Sequence, residues 1–227
     1  MVIKAVVFDM GGVLIPAPTN FMKDSEQKNG FAPGSFLSTL HKAMLSEHFK
    51  ALEKGEITAE DFDPLFTDLY NKEHGTTKRN ISLATVLTDF LSETKMIPEM
   101  EEIIEDLRAA GYITVLLTNN FYTDRARCLP TIPAGFANHF DLVAESCRLG
   151  MRKPDMDIYQ YVCQKMKVTP AECVFLDDLE PNVVAAKELG FITVKVMSTS
   201  QAVDDLKLAV KDLSKLPSEE RECLPSS

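Results

Sequence analysis

The chain has 227 residues, of which 45% are hydrophobic and 26% charged, a composition typical of a soluble globular protein with one sizeable core or two modest domains. Its formal net charge of −10 disfavours nucleic acids and anionic membrane surfaces as partners, because an acidic protein repels their phosphates. The five cysteines, with no CxxC spacing, favour free thiols over disulfides or a zinc site. Together with an N-terminus that does not resemble a signal peptide and no apolar stretch long enough to span a bilayer, they predict a cytoplasmic protein.

Short, continuous apolar runs recur along the chain and alternate with amphipathic segments. Runs without polar alternation are typical of strands that a parallel sheet buries on both faces. Met100–Leu107 and Ile158–Met166 have apolar residues at helical spacing, and Pro181 and Gly190 suit the two ends of another helix. This alternation predicts an α/β fold with a doubly wound parallel sheet built from right-handed βαβ units. The predicted strands are Ala5–Phe8, Val115–Leu117, Leu142–Val143, Val174–Leu176 and Ile192–Val194.

The segment that follows the first strand breaks this alternation. It contains helix-like stretches and no convincing strand, and Thr58–Asp61 before Phe62 has the pattern of a helix start. Ligands of doubly wound sheets bind at the carboxyl ends of the strands, so an insertion that leaves from this end would cover the site. We therefore predict a core of residues 1–16 and 97–216, a helical cap of residues 17–96 and a polar tail of residues 217–227.

The first candidate site residue ends the first predicted strand. Asp9 follows a buried apolar run and precedes Met10, Gly11 and Gly12, an unfavourable place for a carboxylate unless it faces a ligand. The carboxylate could act as a nucleophile or bind a metal ion, and the glycines let backbone N–H groups approach an anion closely. A plain strand-to-turn junction explains this motif equally well when it is considered by itself.

Two further polar motifs follow along the chain. Thr118 and Asn119, at the end of the second predicted strand, could donate hydrogen bonds to phosphate oxygens, although such residues also cap helices. Lys153, in the segment Gly150–Asp155, could neutralise a phosphate and a nucleophilic carboxylate. By itself that segment is more typical of a solvated basic turn.

Two adjacent carboxylates, Asp177 and Asp178, end the fourth predicted strand. They repel each other at a buried strand end and are costly unless a cation lies there. Oxygen ligands with no histidine or cysteine nearby favour Mg²⁺ over Zn²⁺. This pair is the most informative motif, and the four motifs together indicate one site more strongly than any of them does alone.

The order of these motifs resembles that of the haloacid dehalogenase superfamily, in which an aspartate nucleophile, a threonine or serine, a lysine and an acidic pair follow one another. The resemblance extends from Ile3 to about Val196, and the helical insertion resembles the small C1-type cap of that superfamily. Several segments are most similar to the N-terminal phosphatase domain of soluble epoxide hydrolase and to a related domain of an acyl-CoA dehydrogenase family member. These segments are Phe8–Leu14, Glu145–Cys147, Gly150–Pro154, Ile158–Tyr159 and Phe175–Asp178.

The resemblance implies a magnesium-dependent phosphatase that acts on a small phosphorylated metabolite through an aspartyl-phosphate. Asp9 would attack phosphorus, and Lys153 would offset the charge of the nucleophile and the phosphoryl group. The sequence does not indicate an oligomeric state. The implied ligands of Mg²⁺ are Asp9, the carbonyl of Gly11 and Asp178, with Asp177 behind them, and those of the phosphoryl oxygens are Thr118, Asn119 and the N–H groups of Met10 and Gly11.

Gly11 departs from the pattern of the phosphatases in this superfamily, which usually have a second aspartate at this position. That aspartate protonates the leaving oxygen and then activates water, and such general acid–base catalysis is worth about 10²–10⁴ in rate. Its loss affects an alkoxide leaving group most, and an acyl phosphate or a sugar 1-phosphate less. Glu53, Lys54 and Glu56 of the predicted cap could supply a proton if the cap closes.

Two other functions stay open at this point. A catalytically impaired module would bind a ligand or metal without turnover, which Gly11 would explain. A metal-independent dehalogenase is the second alternative, because halide leaves without protonation and dehalogenases of this superfamily also lack the second aspartate. They do not keep an acidic pair like that of Asp177 and Asp178, however.

Overall fold

The computed structural model describes residues 2–17, 19–28, 30–77 and 81–210. Within these ranges the strands are β1 (Ala5–Phe8), β2 (Ile113–Thr118), β3 (Leu142–Glu145), β4 (Cys173–Asp177) and β5 (Ile192–Lys195). They form one parallel sheet in the order β3-β2-β1-β4-β5. The chain therefore starts at the centre of the sheet, builds one half outwards and then returns to build the other. This topology confirms the predicted doubly wound α/β fold.

The helices of the described residues fall into two groups. Those between β1 and β2 are α1 (Thr19–Lys28), α2 (Ser35–Met44), α3 (Glu47–Glu53), α4 (Ala59–His74), α5 (Leu83–Glu93) and α6 (Pro98–Ala109). Those that follow are α7 (Ser146–Leu149), α8 (Met156–Met166), α9 (Glu180–Leu189) and α10 (Thr199–Ala209). None of these helices combines the length and the apolar composition that crossing a bilayer would require.

Alternate residues of the strands pack into two separate cores, one on each face of the sheet. Val6 and Phe8 pack with α6 and α10 on one face, and Ala5 and Val7 pack with α8 and α9 on the other. All four residues of β1 are fully buried, which explains why the apolar run is not interrupted by polar residues.

The register of the three central strands brings their carboxyl ends to one edge of the sheet. Phe8 of β1 is level with Leu116 of β2 and with Leu176 of β4. Asp9 follows directly, and its backbone N–H donates to the carbonyl of Leu176 at 2.9 Å. Polar residues that follow these strands in the chain are therefore neighbours in space.

Helices α1–α5, which we call the helical layer, have a hydrophobic core of their own. Helix α4 begins with a capping box, in which the Thr58 hydroxyl accepts from the N–H of Asp61 and the Asp61 carboxylate accepts from the N–H of Thr58. The predicted helix start is thereby confirmed. The predicted tail, together with residues 211–216 of the predicted core, lies outside the described residues. Aromatic side chains fill much of the layer, among them Phe36, Phe49, Phe62, Phe66 and Tyr70.

Candidate active site

A buried lysine joins two of the predicted acidic residues. The Nζ atom of Lys153 lies 2.7 Å from Oδ1 of Asp9 and 2.7 Å from Oδ2 of Asp177. The lysine side chain is 1% exposed. Burial opposes its charge, but the two carboxylates outweigh burial and raise the pKa of Lys153. The ammonium group therefore stays charged at neutral pH and neutralises part of the acidic charge of the site.

The carboxylate of Asp177 is occupied by donors from the protein. Its Oδ1 accepts from the N–H of Leu179 at 2.8 Å and from Nδ2 of Asn182 at 3.1 Å. Its Oδ2 accepts from Lys153 and, at 3.0 Å, from the same amide of Asn182. Asn182 is itself anchored, because the Tyr159 hydroxyl donates to its carbonyl at 3.1 Å. These bonds suit Asp177 to orienting the lysine. Asp177 would then contribute to metal binding only indirectly, through another ligand.

Asp178 is half-buried and has its carboxylate near the other two acidic groups. One oxygen each of Asp9, Asp177 and Asp178 lie within 4.8 Å of one another. Burial, followed by the charge of Asp177, raises the pKa of Asp178. Burial also raises the pKa of Asp9 to about 7, although Lys153 and the N–H of Met10 lower it. Oxygen-only donors crowded in this way fit Mg²⁺, because a divalent cation relieves their repulsion.

The turn after β1 lies against the carboxylate of Asp178. Gly12 has φ +75°, and a Cβ atom built on it would lie 2.4 Å from Oδ2 of Asp178, so only glycine lets that carboxylate approach the turn. The turn is closed by Ile15, whose N–H donates to the Met10 carbonyl at 3.0 Å and whose carbonyl accepts from Gly12 at 2.9 Å. Within the described ranges, no hydrogen bond uses the Gly11 carbonyl, which leaves it available to a cation.

The two polar residues at the end of β2 have different surroundings. Thr118 is buried, with 2% of its surface exposed. The amide of Asn119 is bound to the backbone of Lys153, since Oδ1 accepts from the N–H of Lys153 at 2.8 Å and Nδ2 donates to the carbonyl of Lys153 at 2.9 Å. The side chain of Asn119 therefore fixes the backbone of the lysine from both sides.

Neither Asn182 nor Arg152 is singled out by the sequence pattern as a site residue. Asn182 had a usable signal, because an amide five residues after Asp177 lies in the first turn of α9 and can reach back to the strand end. Arg152 had none, since its Nε atom is 2.5 Å from Oε2 of Glu53, which is 99 positions away in the chain. Glu53 is thus bound to Arg152. The Nζ atom of Lys54 lies 3.3 Å from Oδ2 of Asp155, which belongs to the same segment of the chain as Arg152.

Comparison with known proteins identifies the family. A family model described as haloacid dehalogenase-like hydrolase matches residues 3–190. This chain belongs to that family. The match covers strands β1 to β4 and the helical layer, and it confirms the resemblance predicted from the four motifs.

Several curated proteins are similar to this chain. The chain is 34% identical to acyl-CoA dehydrogenase family member 10 of Mus musculus over 90% of this chain and 19% of that protein. It is 31% identical to bifunctional epoxide hydrolase 2 of Sus scrofa over 91% of this chain and 39% of that protein. The chain thus spans about a fifth to two fifths of these relatives. It also matches D-ribitol-5-phosphate phosphatase of Bacteroides thetaiotaomicron, at 27% identity over 84% of this chain and 90% of that protein.

Solved structures of haloacid dehalogenase-like proteins share the fold. One is a family enzyme of Bacteroides thetaiotaomicron crystallised with magnesium and inorganic phosphate, which superposes with a TM-score of 0.60 at 24% identity and covers 85% of this chain and 93% of that one. The similarity supports the doubly wound α/β architecture described above.

Proposed function

We propose that this protein is a magnesium-dependent phosphatase that acts on a small phosphorylated metabolite through an aspartyl-phosphate on Asp9. The observation that carries the proposal is the meeting of Asp9, Lys153 and Asp178 at one edge of the sheet, where an acidic cluster of this kind suits a divalent cation. A relative named as a D-ribitol-5-phosphate phosphatase supports a small phosphorylated substrate, and the magnesium complex of a structural neighbour supports the cation.

The chemistry proceeds in two displacements at phosphorus. The Asp9 carboxylate forms a bond to phosphorus while the bond to the leaving oxygen breaks, and its electron pair stays on that oxygen, which takes a proton from water. A water molecule then attacks the phosphorus of the aspartyl-phosphate, releases inorganic phosphate and regenerates the carboxylate. The ester and one water molecule are thereby converted to an alcohol and phosphate.

The surrounding residues hold charge in place during both displacements. Lys153, which touches Asp9, offsets the charge that develops on the phosphoryl oxygens. Mg²⁺ would supply further positive charge when bound. The groups that would hold it are Asp9, the Gly11 carbonyl and Asp178, with Asp177 behind them. The groups that would hold the phosphoryl oxygens are the Thr118 hydroxyl, Asn119 and the N–H groups of Met10 and Gly11.

The proposal also assigns the helical layer the role of a cap over this site, with residues 17–96 as the cap and residues 1–16 and 97–216 as the core. It is supported by the low exposure of Asp9, which is 8%, and by contacts between the layer and the lysine segment. A cap that excludes water strengthens the electrostatic interactions beneath it. The cytoplasmic location stays a prediction.

The proposal is tested with purified protein and a broad panel of phosphate monoesters. We expect the wild type to release phosphate in the presence of Mg²⁺. Release should stop when a chelator removes the Mg²⁺, because the charge of Lys153 neutralises only part of the acidic charge of the site. Asp9→Asn keeps the size of the side chain but removes the nucleophile, and we expect release at the uncatalysed rate. If the wild type is no faster than Asp9→Asn on every ester, the protein is not a phosphatase. Halide release from 2-haloacids in the presence of chelator would instead support the dehalogenase alternative.

Gly11 predicts which phosphates react well. Because glycine provides no proton, the leaving group must depart as an anion. The rate should therefore depend steeply on the pKa of the alcohol or phenol that is released. We expect kcat/KM for a series of aryl phosphates to rise as the pKa of the phenol falls. Gly11→Asp should flatten this dependence and accelerate alkyl phosphates by about 10²-fold or more. An equally flat dependence for the wild type would show that another residue already supplies the proton.

A further inference from the structure

Glu53, at the end of α3, extends from the helical layer to the core segment that carries the catalytic lysine. Its Oε2 atom lies 2.5 Å from Nε of Arg152, and its Oε1 atom lies 3.5 Å from Nδ2 of Asn119. The side chains of Glu53 and Arg152 are only 8% and 17% exposed. Because both side chains are largely buried, the contacts with Arg152 and Asn119 hold the Glu53 carboxylate in place.

Both partners of Glu53 act on Lys153. Arg152 precedes it in the chain, so a fixed guanidinium group fixes the start of the lysine backbone. Asn119 hydrogen-bonds both the N–H and the carbonyl of Lys153. At the other end of the same side chain, the ammonium group bridges Asp9 and Asp177. One carboxylate of the helical layer therefore braces the backbone from which the lysine reaches into the site.

We propose that Glu53 is a positioning residue, which uses Arg152 and Asn119 to hold the ammonium group of Lys153 between the nucleophile and Asp177. The inference rests on the proposed phosphatase function only for its kinetic consequences. It also gives Glu53 a role different from the proton donor that the sequence suggests, because Arg152 and Asn119 engage both oxygens of its carboxylate, although burial, which Arg152 only partly offsets, raises the pKa of Glu53.

The helical layer does not depend on Glu53 for its place on the core. The N–H of Ala59 donates to the Tyr122 carbonyl at 2.8 Å, and Arg127 donates to the Gly55 carbonyl at 2.7 Å. A surface ion pair between Arg125 and Asp61, at 2.6 Å, joins the same two parts of the chain. Loss of the Glu53 charge should therefore disturb the lysine segment locally, while the other contacts keep the helical layer in place.

The test compares Glu53→Gln with Arg125→Gln, a matched control that breaks a cross-layer ion pair far more exposed than that of Glu53. The readout is the ¹⁵N resonance of the Lys153 ammonium group, assigned with Lys153→Met, together with its rate of hydrogen exchange. We expect Glu53→Gln to shift the resonance and to speed exchange at least tenfold in protein that is still folded at the temperature of the measurement, although its melting temperature is lower than that of the wild type. Arg125→Gln should leave both unchanged.

Kinetics provide the second readout. We expect Glu53→Gln to lower kcat at least tenfold with little change in KM, and the double variant Glu53→Gln, Arg152→Gln to be no slower than the single one, because the pair acts as a unit. An unchanged ammonium signal in Glu53→Gln would overturn the proposal, as would a loss of kcat that only follows a loss of folded protein. If the signal moves as expected but the wild type releases no phosphate, the positioning role stands and the phosphatase proposal fails.

Discussion

At the scale of single residues, the chemistry of the site depends on one ammonium group shared by two buried carboxylates. Lys153 contacts both Asp9 and Asp177 at 2.7 Å. Removing one partner of a buried ion pair leaves an uncompensated charge, which typically costs about 3–5 kcal/mol of folding free energy. We therefore expect Lys153→Met to be destabilised by about that amount at pH 8 without metal.

The pH dependence of this loss follows from the direction of the pKa shifts. Burial already raises the pKa of Asp9 to about 7 with the lysine present, and it would rise further without it. A carboxyl group whose pKa is higher in the folded than in the unfolded state binds more protons when folded. The free energy of unfolding therefore falls as pH rises. The deficit of Lys153→Met should therefore shrink between pH 8 and pH 5, as measured by urea unfolding at each pH.

An exposed lysine provides the matched control for this experiment. Lys4 forms an ion pair with Glu172 at 2.6 Å on the surface, and the Lys4 bond, followed by bonds from Thr169, lowers the pKa of Glu172 to about 2. Lys4→Met should change stability little, and equally at pH 5 and pH 8, because Glu172 stays charged throughout. A deficit of Lys153→Met that does not vary with pH would show that the buried carboxylates are not its cause.

At the scale of secondary-structure elements, the loop between α3 and α4 of the helical layer packs closely against α7. Gly55 in this loop has φ +69°, and a Cβ atom on it would lie 2.1 Å from the backbone carbonyl of Cys147 in α7. Gly75, which ends α4, has a similar φ of +61° but nothing within 4 Å of such an atom. The two glycines thus differ in the closeness of a neighbour and share the same backbone requirement.

Alanine substitutions at these glycines separate the two effects. Gly75→Ala should lose roughly 1–2 kcal/mol, from the left-handed conformation alone. Gly55→Ala should lose a further 1–3 kcal/mol or so, because it forces α3 and α7 apart. Denaturant unfolding of the two variants measures the difference, and equal losses would mean that the loop does not press against α7 in solution.

At the scale of the whole molecule, the proposed cation site exists only in the folded chain. Asp9 follows β1 and Asp178 follows β4, so their oxygens come together only when the central strands pair. A ligand that binds the folded state alone at one hundred times its Kd stabilises that state by about 2.7 kcal/mol. For a chain of this size we expect Mg²⁺ to raise Tm by roughly 5–10 °C.

Asp178→Asn should lose this Mg²⁺ effect, because it removes one of the carboxylates of the acidic cluster that would hold the cation. Glu105→Gln is the control, since Glu105 belongs to another acidic group, with Glu101 and His139, away from the sheet edge. It should keep the full shift. A shift that survives in Asp178→Asn and disappears in Glu105→Gln would mean that the cation binds that other group.

Much of the fold follows from local patterns in the sequence. The apolar runs mark all five strands because a parallel sheet buries both faces of each strand, and the runs therefore lack alternation. The position of Asp9 and of Asp177–Asp178 at strand ends was enough to predict that they meet, since parallel strands that lie side by side end at the same edge. The helical insertion follows from the absence of strand patterns there.

The tertiary structure alone decides what each of these polar groups touches. Asp177 and Asp178 are adjacent and chemically identical, yet Lys153 and Asn182 occupy the first, while the second faces the proposed cation site. Likewise, no local pattern links Glu53 to Arg152 across 99 positions. Periodicity in the sequence reports which side of an element is buried, but hydrogen-bond partners depend on how distant elements pack, and so the electrostatics of the site emerge only from the folded chain.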